Sequence, residues 1–436
     1  MEIPQEVLDR VRGLPDTRPL YYEDAYKKSF DAKILEVVEV GDKLYVVLDE
    51  TCFFPEGGGQ AGDIGRLSSS SGELDVIDTQ SADGVIVHIC KLISGSVVKG
   101  EKVHGEIDWD VRYARMRQHT ASHILFSALR HVLGVERLVY MGVGIGDEFS
   151  RIDINYGKPI TPEQLEKAES ISNRICLENR KVKTWFTTRE EAERLYGSKL
   201  GVTEVTPTGV VRVVEVDGWD VALCCGTHVS STSEVGLIKI IERYRLQKGV
   251  ERVEFTAGVP AYRRFEDAVR SMSSISRLLQ VPVSEVEGRV KKLLEERRTL
   301  KERLEKILGE LAELKAERML LDAESIGEFR LVIREFRDLS PKEIRRMATY
   351  ITSREPRAVV VLGSVYEGKP YLVCAAGERA VKVGINTAAL AGGAAEIIKG
   401  RGGGAPKIAQ AGGIDAKKLG EALNYCKGEV LRILRA

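Results

Sequence analysis

Two short clusters of metal-ligand side chains lie about a hundred residues apart in this chain, His119-Thr-Ala-Ser-His123 and Cys224-Cys-Gly-Thr-His228. On a helix, the i, i+4 spacing of the first cluster puts both imidazoles on one face, one turn apart. Two such rings can share one tetrahedral ion, at Zn–N distances of roughly 2.0–2.1 Å. The second cluster offers a thiolate and another imidazole in a Gly-containing turn. Together they make a His/His/Cys/His zinc set, and an enzyme is the leading expectation. Thr120 stands where the general-base Glu of an H-E-x-x-H metalloprotease would be, which argues against that class. The chain has only six histidines, so two pairs at ligand spacing in one subdomain carry weight.

The rest of the composition narrows the class. The chain has 436 residues, is 43% hydrophobic, and balances 65 basic against 65 acidic side chains. Zero net charge argues against a generally sticky nucleic-acid binder but leaves room for a local basic face. Seven cysteines do not make a disulfide framework in a chain this long. Cys52, Cys90, Cys176, Cys374 and Cys426 read as isolated buried residues. The N-terminus lacks the apolar core of a signal peptide, and no apolar run is long enough for a bilayer. A soluble, reducing, cytoplasmic setting is expected, with no membrane partner.

Residues 18–107 read as short β-branched strands separated by Gly, Asp and Ser, a small barrel or sandwich. Residues 110–133 carry a helical apolar pattern closed by Gly134. A second helix opens at Thr161-Pro162, and strands near 210–216 and 236–243 flank the Cys224–His228 turn. Residues 260–321 are strongly helical. From Val286 the apolar register runs Val290, Leu293, Leu300, Leu304, Ile307, Leu311, Leu314, Leu321, a heptad seam. It suits an antiparallel hairpin with 260–279, an intermolecular coiled coil or a solvated arm. Residues 328–436 alternate strands and helices. Their GRGGGAPKIAQAGG segment reads as a glycine loop whose N–H groups could form an anion nest.

A third motif is Phe53-Phe-Pro-Glu-Gly-Gly-Gly-Gln60-Ala-Gly-Asp63, whose glycines indicate close backbone approach. Taken in order, FFPEGGGQAGD, HTASHIL, CCGTHV and GRGGGAPKIAQAGG resemble the editing half of alanyl-tRNA synthetases. They are more similar still to the free-standing alanyl-tRNA editing proteins, the AlaX family in its long form. The resemblance covers nearly the whole chain from about residue 18. It implies an α+β fold in four parts: an N-terminal small β-barrel with the Gly-rich loop (1–109), an α+β zinc-binding editing domain (110–258), a helical coiled-coil arm (259–322) and a C-terminal α/β DHH-associated domain (323–436). With no class II aminoacylation domain ahead of the barrel, the expectation is a whole trans-editing protein and not a ligase.

The same resemblance makes His119, His123, Cys224 and His228 the ligands of one zinc ion per chain. Cys225 occupies a place where the family commonly has Gly. The Gly-rich loop ending at Gln60 is implied to line the editing pocket, and Thr51 to contact the hydroxyl of serine. The implied reaction is hydrolysis of the ester that joins serine, and with it glycine, to alanine-specific tRNA. Such a second site is needed because an apolar pocket rejects an added hydroxyl by only about a hundredfold. Arg112, Arg115 and Arg117 near the first cluster, with Arg401 and Lys407 around the C-terminal glycines, are expected to contact tRNA phosphates; a solvated basic face is the plainer alternative. A homodimer through the coiled coil or the C-terminal domain is also expected. Competing readings are a C-terminal editing fragment of an alanyl-tRNA synthetase, a zinc hydrolase of another substrate, a phosphoesterase, or a non-enzymatic tRNA-binding coiled-coil protein.

Overall fold

The structure, a computed structural model, describes residues 2–135, 138–197, 200–201 and 209–435. The chain forms two compact units, Met1–Ser274 and Ile275–Ala436.

The first unit opens with a closed six-stranded barrel. Its strands run Ser29–Val40, Lys43–Leu48, Val85–Gly95, Gly72–Ala82, Gly65–Ser69 and Lys102–Ile107, and the last pairs back to the first. Phe30, Ala32 and Ile34 alternate inward along the first strand, as the two-residue side-chain period requires; past an irregularity between Ile34 and Glu36, Val38 packs instead with Val7 and Val11. Glu36 breaks the apolar pattern yet stays buried, because Arg10 and Lys99 bind its two oxygens. Gly65–Ser69 and Lys102–Ile107 are strands that the sequence reading did not single out; they close the barrel.

The Trp109–Leu133 helix leaves the barrel directly. Asp108 caps it by accepting from Val111 N, and Gly134 ends it at φ +65°, the left-handed conformation glycine adopts most readily. Most of this helix from Arg112 to Leu129 is buried. It packs on the Pro162–Leu177 helix and on an antiparallel sheet ordered Ile238–Gln247, Val250–Ala257, Ser150–Asn155, Tyr140–Ile145. The Pro162–Leu177 helix starts with a full capping box between Thr161 and Gln164. A second small sheet, Val182–Thr188, Val210–Val216, Asp220–Leu223 and Leu200–Gly201, carries the Cys224–His228 turn at the end of one strand.

In the second unit a six-stranded sheet is ordered Glu324–Ile326, Phe329–Arg337, Ala358–Tyr366, Lys369–Ala376, Ile408–Gly412, Arg401–Ala405. Only Phe329–Arg337 and Ala358–Tyr366 pair in parallel, through the Pro341–Arg354 helix, so the sheet is mixed. Alternate residues face two cores. Val359 and Val361 meet the Thr387–Ile397 and Leu419–Arg435 helices, while Val360 and Leu362 meet the Pro341–Arg354 helix.

One expectation needs correction here. GRGGGAPKIAQAGG is not an open glycine loop but the edge hairpin Arg401–Ala405/Ile408–Gly412. A Cβ on Gly402 would lie 2.3 Å from the Ala391 carbonyl oxygen. Its glycine lets a helix lie directly on the hairpin, and Arg401–Ala405 pairs along one side with Ile408–Gly412. Of the arrangements open to the heptad seam, the described residues show an exposed one. The Val286–Leu321 helix packs on Pro341–Arg354 through Gly309, Ala312, Ala316 and Met319, while Leu300, Leu304, Ile307, Leu311 and Leu314 are exposed.

Candidate metal centre

The structure brings His119, His123, Cys224 and His228 together, with their ligand atoms all within 4.8 Å of one another. Cys224 Sγ lies 3.3 Å from His119 Nε2 and 3.3 Å from His228 Nε2. Tetrahedral zinc bonds of about 2.3 Å to sulfur and 2.0–2.1 Å to nitrogen imply edges of roughly 3.5 Å, so the donor set suits such an ion in type and spacing.

Each imidazole is oriented from behind. His119 Nδ1 meets Gln60 Oε1 at 2.8 Å, His123 Nδ1 meets Asp220 Oδ2 at 2.9 Å, and His228 Nδ1 meets Thr120 Oγ1 at 3.1 Å. With Nδ1 so occupied on all three rings, Nε2 is left as the donor toward a metal. Asp220 is itself held by Ser127. Gln60 also accepts from Thr227 N and donates to Thr227 Oγ1, so it ties the barrel loop to the ligand turn.

The electrostatics favour the metal-binding protonation states. Burial opposes the charged Cys224 thiolate, but the adjacent His119 and His228 outweigh it and hold the thiol well below its ordinary range. Burial, with His119 nearby, pushes His228 down to about 3, toward the neutral ring. Burial would lower His123 as well, yet Asp220 and Cys224 push it up to about 10. That proton has to be released for ligation.

Local backbone explains the motif glycines. Gly58 and Gly59 have φ of +60° and +81°, closing a tight turn in which Gly57 and Gln60 exchange hydrogen bonds. A Cβ on Gly59 would lie 2.5 Å from Val143 O, and one on Gly58 would lie 2.9 Å from Cys225 Sγ. A Cβ on Gly226 would lie 2.1 Å from His119 Cε1.

A cavity of about 380 Å³ adjoins the cluster, lined by His119, Ser122, His123 and Cys224 and by Tyr22, Gly58, Phe186, Arg212 and Cys225 among others. That volume lies in the usual range for small-ligand sites, roughly 300–1,000 Å³. The two adjacent cysteines have separate places. Cys224 faces the imidazoles; the Cys225 sulfur lies beside Gly58, and its desolvation followed by the Cys224 charge raises its pKa to about 11.

Several expected roles change. Gln60 is fully buried and holds His119, so it positions a ligand and does not line the cavity. Thr51 is also fully buried. Its hydroxyl accepts from Phe53 N and lies 2.8 Å from His88 Nε2. His88 Nδ1 faces the Val46 carbonyl oxygen at 3.0 Å and must donate there, so Nε2 accepts from Thr51. That hydroxyl is committed inside the barrel and does not meet a substrate. Arg112 is equally enclosed, binding Asp63 and the Cys52 and Ala25 carbonyls. Arg115 is buried on Gly62 O. Neither guanidinium reaches RNA; both join the barrel to the helix. Arg117 is half-buried, 4.1 Å over the Tyr113 ring. Arg401 and Lys407 are exposed on the second unit's hairpin, and Lys407 pairs with Glu378.

The sequence reading missed Asp220, Thr120, Thr227 and Arg212. Asp220 and Thr227 sit within or beside the recognised motifs, but nothing in their spacing marks what they bind. Arg212 Nη1 donates to both the Cys224 and Gly226 carbonyls and so pins the ligand turn.

Comparison with known proteins agrees with this architecture. Three protein-family models match: tRNA synthetases class II (A) over residues 5–111, the threonyl and alanyl tRNA synthetase second additional domain over 211–254, and the DHHA1 domain over 328–430. The class II match falls on the barrel, a relation the sequence reading did not draw. Alanine–tRNA ligase of Methanosarcina barkeri is 36% identical over 417 residues, 95% of this chain and 44% of the ligase. That of Pyrococcus abyssi is 36% identical over 424 residues, 97% of this chain and 45% of the ligase. The chain thus spans less than half the length of these relatives. The C-Ala domain from Aquifex aeolicus alanyl-tRNA synthetase shares 26% identity, with 26% of this chain and 98% of that one covered and a TM-score of 0.23. No helix among the described residues is long and apolar enough to cross a membrane. The chain is an alanyl-tRNA synthetase-like protein that carries the second additional domain and a DHHA1 domain.

Proposed function

We propose that this chain is a zinc-dependent aminoacyl-tRNA deacylase that removes serine, and glycine as a second substrate, from alanine-specific tRNA in trans. The observation that carries the reading is the convergence of His119, His123, Cys224 and His228 beside a small-molecule-sized cavity. In the reaction, water adds to the ester carbonyl, the bond to the ribose oxygen breaks, and free amino acid and uncharged tRNA leave. Zinc, when bound, supplies a fixed charge and a template for the four side chains. Gln60, Asp220 and Thr120 hold the rings, and Arg212 holds the turn. Ser122 lines the cavity and donates its own proton to His119 O at 2.7 Å. It is left as an acceptor, suited to a serine hydroxyl that donates. This role replaces the one expected of Thr51.

The wider reading keeps Arg117, Arg401 and Lys407 as phosphate contacts, and a homodimer through the exposed Val286–Leu321 seam or the second unit. It also keeps a cytoplasmic location and a modular division at 1–109, 110–258, 259–322 and 323–436. The test is hydrolysis of Ser-tRNA, Gly-tRNA and Ala-tRNA on alanine-specific tRNA by zinc-loaded protein. Rapid release of serine with Ala-tRNA spared is expected; equal rates, or none, overturn the reading. The 36% identity to alanine–tRNA ligases over 95–97% of this chain supports a second reading, the editing and C-terminal portion of an alanyl-tRNA synthetase, in which the same site serves its own ligase. Mass measurement of the native protein in cell extract separates the two.

A further inference from the structure

A second cavity of about 390 Å³ lies in the first unit, within the usual size range for a small ligand. Among the described residues it shares no lining residue with the cavity at the metal centre. Three segments build it: the opening turns of the Trp109–Leu133 helix, the 147–148 turn, and residues 257–263, where a strand passes into the Val259–Leu279 helix. Asp110, Ala114 and Arg117 line it from the first helix, at a spacing that puts them on one face. The cavity belongs to the sheet that contains Tyr140–Ile145 and Val250–Ala257, not to the one whose Leu200–Gly201 strand adjoins 202–208 in sequence.

Its lining carries both signs of charge. Arg117 and Arg263 supply two guanidiniums; Asp110, Asp147 and Glu148 supply three carboxylates. Ala114, Ala257 and Pro260 add hydrocarbon surface. Several of these groups are held in place. The Arg117 guanidinium lies 4.1 Å over the Tyr113 ring, and Tyr113 is anchored through its hydroxyl on Glu234. Thr256 Oγ1 donates to the Glu148 carbonyl oxygen at 2.7 Å, and Arg115 Nη2 lies 3.8 Å from Asp147 Oδ1, so the 147–148 turn is tied at two points. Three carboxylates beside two guanidiniums match neither a simple anion nor a simple cation. They match a ligand that carries one charge of each sign.

We propose that this pocket binds a free aliphatic α-amino acid. Its carboxylate meets Arg117 and Arg263, its ammonium meets Asp147 and Glu148, and its side chain rests on Ala114, Ala257 and Pro260. The site goes beyond the deacylase reading and does not depend on it. Titration calorimetry on the full zinc-loaded chain compares L-valine with L-valinamide, which lacks the carboxylate, and N-acetyl-L-valine, which lacks the ammonium. One valine per chain is expected to bind, with each analogue weaker by about tenfold or more, the scale of one charged hydrogen bond lost. Arg263 and Glu148 are exposed, so replacing either one spares the core. Arg263→Gln should weaken valine and leave valinamide unchanged, while Glu148→Gln should weaken valine and leave N-acetylvaline unchanged. Ser122→Ala, in the cavity at the metal centre, should leave valine binding as it is. Absence of saturable valine binding, equal binding of the three compounds, or valine binding unaltered by both pocket variants overturns the site. Loss of valine binding in Ser122→Ala at an unchanged melting temperature also overturns it, because the amino acid would then sit at the metal centre.

Discussion

Gln60 Oε1 and His119 Nδ1 are joined at 2.8 Å across 59 residues of sequence, so a barrel loop sets the orientation of a ring on the central helix. Removing the amide frees the ring to turn and leaves Thr227 without its partner. Gln60→Ala is expected to weaken zinc affinity by about 10–100-fold, the usual cost of losing a group that orients a ligand. Competition with a chromophoric chelator measures it, and unchanged affinity would show that His119 needs no support from the barrel.

Gly226 lies under the same ring. A methyl group there would sit 2.1 Å from His119 Cε1, closer than any Cβ contact tolerates, so the ring or the turn must move. Gly226→Ala should therefore lose zinc at stoichiometric loading. Gly157→Ala meets nothing within 4 Å and should retain one zinc per chain. Metal analysis of the two purified proteins makes the comparison.

Arg112 is wholly buried with Asp63, and its remaining N–H groups go to backbone carbonyls. Arg112→Leu would strand the Asp63 charge, at a cost of roughly 3–5 kcal/mol. A lower urea midpoint is expected. RNA affinity of the fraction that stays folded should keep its salt dependence, since no phosphate contact is lost. A shallower salt slope with unchanged stability would return Arg112 to the RNA-binding surface.

His88 is buried among barrel strands, and that burial pushes its pKa down to about 4 from an ordinary 6.5. The folded state thus favours the neutral ring more than the unfolded chain does. The resulting stability is fully present above pH 6.5 and is lost as pH falls from 6.5 toward 4, on the order of 3 kcal/mol. His88→Gln should flatten this part of the urea-midpoint profile. A wild-type profile as flat as the variant's would refute the assignment.

Much of the framework was legible locally. Gly134 closes one helix, Thr161-Pro162 opens another, and the β-branched run within residues 31–40 marks a strand. These features depend on neighbours within a few residues. The strands that close the barrel were harder to see, because Gly65–Ser69 and Lys102–Ile107 are short, polar and defined by their pairing partners.

The sequence by itself determined the donor types, their i, i+4 spacing and the glycines that permit close approach. Only the tertiary structure decided what each polar side chain is bonded to. It gave Gln60 to His119, Thr51 to His88 and Arg112 to Asp63, over separations of 59, 37 and 49 residues. It also turned the glycine run at 400–404 into a hairpin against a helix. The physical reason is that a hydrogen-bonding side chain states what it can bind, while burial and chain crossing choose its partner. Once a donor is spent inside the fold, it is no longer available to a substrate or to RNA.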